Sequence, residues 1–215
     1  MTIFFVPSSD SQTASNHAVA LHMVSQGDVQ IFADHATRAR LHSELQGNPS
    51  DKQIFAMAHG SSTALKDTNK EEALTTADAV FLQGYRVFSW ACLTANELGK
   101  VFAANGSVWW GYDCPITAPD ERDPYLVVFR DALLSLKNFF ATGVDPASAY
   151  AVLERARAEG LLAEQLLHAL GASDDVEAMA LFSCCNQMWE HLRVWLPGHS
   201  QMIAHPDAPS SSIFG

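Results

Sequence analysis

A chain of 215 residues with 48% hydrophobic and 17% charged side chains can bury a sizeable core as one domain. Its 24 acidic against 13 basic residues give a net charge of −11, and the lack of a basic stripe argues against direct nucleic-acid binding. No apolar run approaches the roughly 20 residues that cross a bilayer, and Met1-Thr2-Ile3-Phe4-Phe5-Val6 carries no basic leader, so a cytoplasmic protein without membrane contact is expected.

Ile3-Phe4-Phe5-Val6 reads as a first buried strand, closed by Pro7-Ser8-Ser9-Asp10. Ala14, Ala18, Leu21 and Val24 then recur at helical spacing until Gly27. The pattern repeats: Val29-Gln30-Ile31-Phe32 as strand, a helix from Thr37 to Gln46, and a stop at Gly47-Asn48-Pro49. A third apolar run from Gln53 to Ala58 leads to His59, after which Ser61 to Asp78 is polar enough for an exposed loop or hairpin. Beyond a helical turn near Ala79 to Gln83, Arg86 to Ala91 and Ser107 to Tyr112 read as the fourth and fifth strands with a helix between them.

After Pro124, the spacing of Leu126, Phe129, Leu133, Leu136 and Phe140 predicts a helix, and Asp145-Pro146 opens another in cap and first-turn order. Leu161 to Leu170 and Val176 to Met188 continue the helical pattern, while Leu192 to Leu196 alternates as a last edge strand. Such strand and helix alternation implies right-handed crossovers and a mainly parallel sheet. The expected organisation is one domain over residues 1–196 and a mobile, Pro- and Ser-rich tail from 197 to 215.

Two strand ends carry the chemistry. His59-Gly60 follows one apolar run and Cys92 follows another, and strands of a parallel sheet end on a common edge where such side chains meet. A thiol beside an imidazole is a nucleophile beside its base. Thr94-Ala95-Asn96-Glu97 fits a capping box, which places Cys92 just ahead of a helix N-terminus, where negative charge is favoured. Gly60 lets a backbone amide approach a substrate, and the amides of Gly60 and Cys92 are the candidate oxyanion donors. Taken alone, a cysteine ending a strand is more often a small buried hydrophobe. The pairing with His59 favours chemistry. Cys114, Cys184 and Cys185 read as free thiols, and without CxxC or finger-like His and Cys spacing neither a metal nor another cofactor is expected.

The order of strand, His-Gly, polar excursion, strand, Ala-Cys and helix resembles the caspase-like cysteine peptidases, closest to the CHAT branch found largely in bacteria. The likeness is carried by Leu74 to Asp78, Arg86 to Cys92, Leu98, Phe102, Val108-Trp109-Trp110 and Asp113, with similar patterning at Phe129 to Leu133 and Pro146 to Ala149. It implies a three-layer α/β fold with about six mainly parallel strands sandwiched by helices. It also implies peptide-bond hydrolysis with Cys92 as nucleophile through a thioester, His59 as base, and an oxyanion hole at Gly60 and Cys92. Trp90 stands where metacaspase-like relatives carry an acidic residue, a departure from their pattern and its calcium dependence.

Asp10 and Asp113, each following a strand, are candidates for an anionic pocket that takes an Arg or Lys before the scissile bond. The competing reading has Asp10 capping a helix and Asp113 ordering a turn. Substrates are expected to be proteins, with restraint by an activating or inhibitory protein partner or by processing, acting through residues 61–78 or the tail. A role in bacterial antiviral defence or induced cell death follows only from the family likeness. The rivals are an inactive scaffold of the same fold and a doubly wound ligand-binding protein, the latter weakened by the absence of GxGxxG and GxxxxGK[ST].

Overall fold

Strands that are apolar at every position need cover on both faces. A computed structural model, which describes residues 1–47 and 52–209, supplies that cover. Five parallel strands, β1 (Ile3–Val6), β2 (Val29–Phe32), β3 (Gln53–Met57), β6 (Arg86–Trp90) and β7 (Val108–Tyr112), form the greater part of the sheet, with β2 at one edge. Two antiparallel strands, β8 (Leu192–Trp195) and β9 (Ile203–Ala204), complete the order β2-β1-β3-β6-β7-β8-β9. Between β3 and β6 a separate antiparallel hairpin of β4 (Ala64–Lys66) and β5 (Glu72–Thr75) occupies the polar excursion.

Alternate side chains along each strand feed two cores. Phe4, Phe55, Phe88 and Trp110 face α1 (Ser11–Leu21), α4 (Tyr125–Phe139), α5 (Pro146–Ala169) and α6 (Ala178–Glu190). Phe5, Ala56, Val87 and Trp109 face α2 (Arg38–Gln46), the hairpin and α3 (Glu97–Ala104). The result is the expected three-layer α/β fold, with a sheet of seven strands. Register and packing agree: Phe55 pairs with Phe88 across β3 and β6, and their rings stack at 4.8 Å.

Two expectations change. Leu192–Trp195 is a strand but not an edge, because β9 pairs beyond it through Arg193 with Ala204 and Val194 with Ile203. The chain therefore does not leave the domain at Pro197: Pro197-Gly198 turns it back, and His205 is buried with its Nε2 2.6 Å from Glu154. Residues 210–215 of the tail, and Asn48 and Pro49 of the helix stop, lie outside the described residues. Among the described residues no helix is long and apolar enough to cross a membrane.

Candidate active site

Parallel pairing of Met57 with Trp90 sets the ends of β3 and β6 side by side, and the Ala58 amide extends the ladder to the Trp90 carbonyl at 3.1 Å. His59 and Cys92 occupy equivalent positions just beyond these ends and line one small cavity of about 20 Å³. Gly60 makes the close approach: a Cβ there would lie 2.6 Å from the Cys92 carbonyl oxygen and 2.9 Å from the Ala91 Cβ. Neither the Gly60 amide nor the Cys92 amide donates to an acceptor among the described residues.

The third member comes from β1, which pairs with β3 on the side away from β6. Asp10 ends the loop after β1 and caps α1, accepting from the Thr13 amide at 3.2 Å in a reciprocal capping box. Its Oδ2 lies 2.7 Å from His59 Nε2 and 3.1 Å from Lys70 Nζ, which reaches across from the hairpin turn. Burial opposes ionisation, but hydrogen bonds from His59, the Thr13 amide and Lys70 outweigh it and hold the carboxyl well below its ordinary range. The helix-capping reading of Asp10 is thus the one the geometry shows, with the same carboxylate facing His59 and Lys70. With Nε2–H directed at the carboxylate, Nδ1 is the ring nitrogen left to exchange protons.

Cys92 is half-buried, and its sulfur faces the backbone of Ile116, whose amide donates to Sγ at 3.3 Å. The next residue, Leu93, adopts φ +64°, and its amide donates to the Cys114 carbonyl at 3.1 Å. The expected capping box does not form. Thr94 turns its hydroxyl to the Ala91 carbonyl at 3.1 Å, and α3 begins at Glu97 with Asn96 as an N-cap lacking a side-chain hydrogen bond. The Leu98 amide in the first turn is taken by the Ser62 carbonyl of the excursion at 2.6 Å. The helix packs on the hairpin side of the sheet through Leu98 and Phe102.

Asp113 is the other revision. Its side chain is only 4% exposed, with Oδ2 2.8 Å from Arg193 Nε and Oδ1 3.5 Å from His191 Nδ1, so an internal ion pair takes the place of an open substrate pocket. Asp10 and Asp113 belong to separate networks. The Asp113 carboxylate and the Cys114 thiol beside it push the His191 imidazole up to about 10, against the cost of burial.

Two neighbours of the dyad were not legible as site residues. Asn16 Oδ1, from α1, and Trp90 Nε1 line the cavity and are buried without a hydrogen-bond partner among the described residues. A larger cleft of about 440 Å³ shares Gln12 and Ala118 with the cavity and is bordered by Asp120, Arg122 and Glu177. No protein-family model matches this chain, and comparison with curated proteins and with solved structures finds no match.

Proposed function

We propose that the chain is a cysteine peptidase that cleaves protein substrates through Cys92 and His59. The observation that supports this reading most is the meeting of Asp10, His59 and Cys92 at the ends of three adjacent parallel strands, with Asp10 fixing the imidazole at 2.7 Å. In the reaction, His59 Nδ1 takes the Cys92 proton as the sulfur attacks the substrate carbonyl carbon. The resulting oxyanion accepts from the Gly60 and Cys92 amides, donors of a type worth roughly 2.7–4 kcal/mol each in a transition state. Collapse breaks the C–N bond, the amine leaves with the proton from His59, and water then hydrolyses the thioester with His59 again as base. Asn16 and Trp90 offer an acceptor and a donor for the substrate main chain.

The adjoining cleft accommodates the peptide, and the reading needs one movement. A cavity of about 20 Å³ admits a water but not a peptide bond, and Ile116 lies across the sulfur. A protein partner, or processing, that shifts the segment around Ile116 opens the site. Cleavage after Arg or Lys loses its structural motive, since Asp10 and Asp113 are both engaged.

An iodoacetamide or acyloxymethyl-ketone peptide probe, followed by mass spectrometry, tests the dyad. Wild-type protein is expected to label at Cys92, Cys92→Ala to lose that label, and His59→Ala to label much more slowly. Equal labelling of wild type and His59→Ala, or peptide-library hydrolysis that survives Cys92→Ala, overturns the reading. The inactive-scaffold alternative is favoured if Cys92 labels at the rate of an ordinary surface thiol with every candidate partner.

A further inference from the structure

A second convergence of side chains lies where β7 ends and α6 turns into β8. Antiparallel pairing of Tyr112 with Leu192 brings the two segments together. One residue further on, the Asp113 amide donates to the His191 carbonyl at 3.4 Å, so the sheet itself sets these residues opposite one another. Ligand atoms of Asp113, Cys114 and His191 all lie within 4.8 Å of one another. None belongs to the Asp10–His59–Cys92 set.

We propose that Asp113, Cys114 and His191 form a zinc site, in which a carboxylate oxygen, a thiolate and an imidazole nitrogen hold the ion and water takes the fourth position. The donor set is the mixed O, S and N set that zinc accepts. Its metal–ligand distances of roughly 2.0–2.3 Å need ligand atoms about 3.3–3.8 Å apart in a tetrahedron. That is a small contraction from the present spacing.

An independent observation points the same way. The Asp113 side chain is 4% exposed, and both of its oxygens are buried without a well-formed hydrogen bond among the described residues, Oδ1 lying 3.5 Å from His191 Nδ1. Its Oδ2 forms the closer ion pair, 2.8 Å from Arg193 Nε. Arg193 is in turn pinned by the carbonyls of Glu190 at 2.9 Å and Leu192 at 3.0 Å. Arg193 thus holds the carboxylate from one side while Oδ1 faces His191 within the cluster, an outer-shell arrangement common behind metal-binding carboxylates.

The position gives the site a consequence. The Cys114 carbonyl accepts the Leu93 amide at 3.1 Å, and the Asp113 carbonyl accepts from Asn96 Nδ2 at 3.4 Å. A bound ion would anchor the root of the segment whose Ile116 amide rests on the Cys92 sulfur. The binding claim stands whether or not the chain is a peptidase.

Zinc chloride titrated calorimetrically into chelator-treated full-length protein tests it, with cobalt chloride as a spectroscopic probe. Wild type and Cys92→Ala are expected to bind zinc stoichiometrically, and cobalt is expected to show a thiolate charge-transfer band. Cys114→Ser and His191→Gln are expected to weaken binding by roughly 100-fold, at the upper end of what loss of an outer-shell partner costs, because each removes a direct ligand, with circular dichroism showing that each still folds. Binding that is unaffected by Cys114→Ser, or that disappears instead in Cys92→Ala, overturns the proposal.

Discussion

Gly60→Ala is the substitution that most directly probes the contact between the two strand ends. The added Cβ would lie 2.6 Å from the Cys92 carbonyl oxygen, 2.7 Å from Thr94 Cγ2 and 2.9 Å from the Ala91 Cβ, three neighbours with no flexible end to yield. Reaching an ordinary contact of 3.4 Å requires the Cys92 carbonyl to retreat by 0.8 Å (3.4 − 2.6). Overpacking of this kind costs about 1–3 kcal/mol. For a chain of this size each kcal/mol lowers the melting temperature by roughly 2–4 °C, so a drop of roughly 2–12 °C is expected. The same retreat carries Cys92 away from His59, and a displacement near 1 Å reduces reaction at a positioned nucleophile by about 100-fold. Thermal melting and the rate of Cys92 alkylation measure the two effects. Gly47→Ala serves as the control, because its nearest contact is 3.3 Å from the Glu44 carbonyl at a helix end with ordinary φ. If Gly60→Ala melts within about a degree of wild type and Cys92 alkylates at the wild-type rate, the proposed juxtaposition is wrong.

Asp10 separates its two roles by choice of replacement. Asp10→Asn retains a good helix cap and should cost little stability, whereas Asp10→Ala should lose about 1 kcal/mol; both should slow Cys92 alkylation, because the anion opposite His59 is gone. Asp78 is expected to contribute to acid sensitivity. Burial opposes its ionisation, but Arg38 and Thr75 hold it below its ordinary 3.8. Its stabilisation is therefore present above that value and lost as pH falls through the lower folded value, and Asp78→Asn should flatten the fall in urea midpoint below about pH 4. Arg193→Met removes the closer of the two cationic partners of the buried Asp113, leaving only His191 at 3.5 Å, and should cost up to about 3–5 kcal/mol in denaturant unfolding. Adding Asp113→Asn should recover much of that loss.

The elements were legible because their signals are local. Apolar runs such as Ile3–Val6 and the spacing Leu126, Phe129, Leu133, Leu136 carry strand and helix without reference to the rest of the chain. Which strands become neighbours is a long-range outcome. Placement of β1 beside β3 brings Asp10 to His59, a contact that spacing along the chain does not show. Antiparallel insertion of β8 beside β7 likewise delivers Arg193 and His191 to Asp113, a meeting that spacing along the chain cannot reveal. Thr94 misled for the opposite reason: its local pattern fits a cap, but a turn stabilised by the Ala91 carbonyl claims its hydroxyl. Ile203 and Ala204 sit among polar and turn-forming residues, so the two-residue strand they form has almost no periodic signal.

The order in which the layers are encoded bears on synthesis. Asp10, His59 and Cys92 all precede Tyr125, where the first of the three long helices covering the Phe4, Phe55, Phe88 and Trp110 face begins. A ribosome working at roughly 5–20 residues per second therefore releases the reactive residues seconds before that face can close. During that interval the nascent chain presents aromatic strand faces to solvent and to other chains. Conditions that slow elongation beyond Cys92 should accordingly raise aggregation of this protein more than a comparable delay before β3.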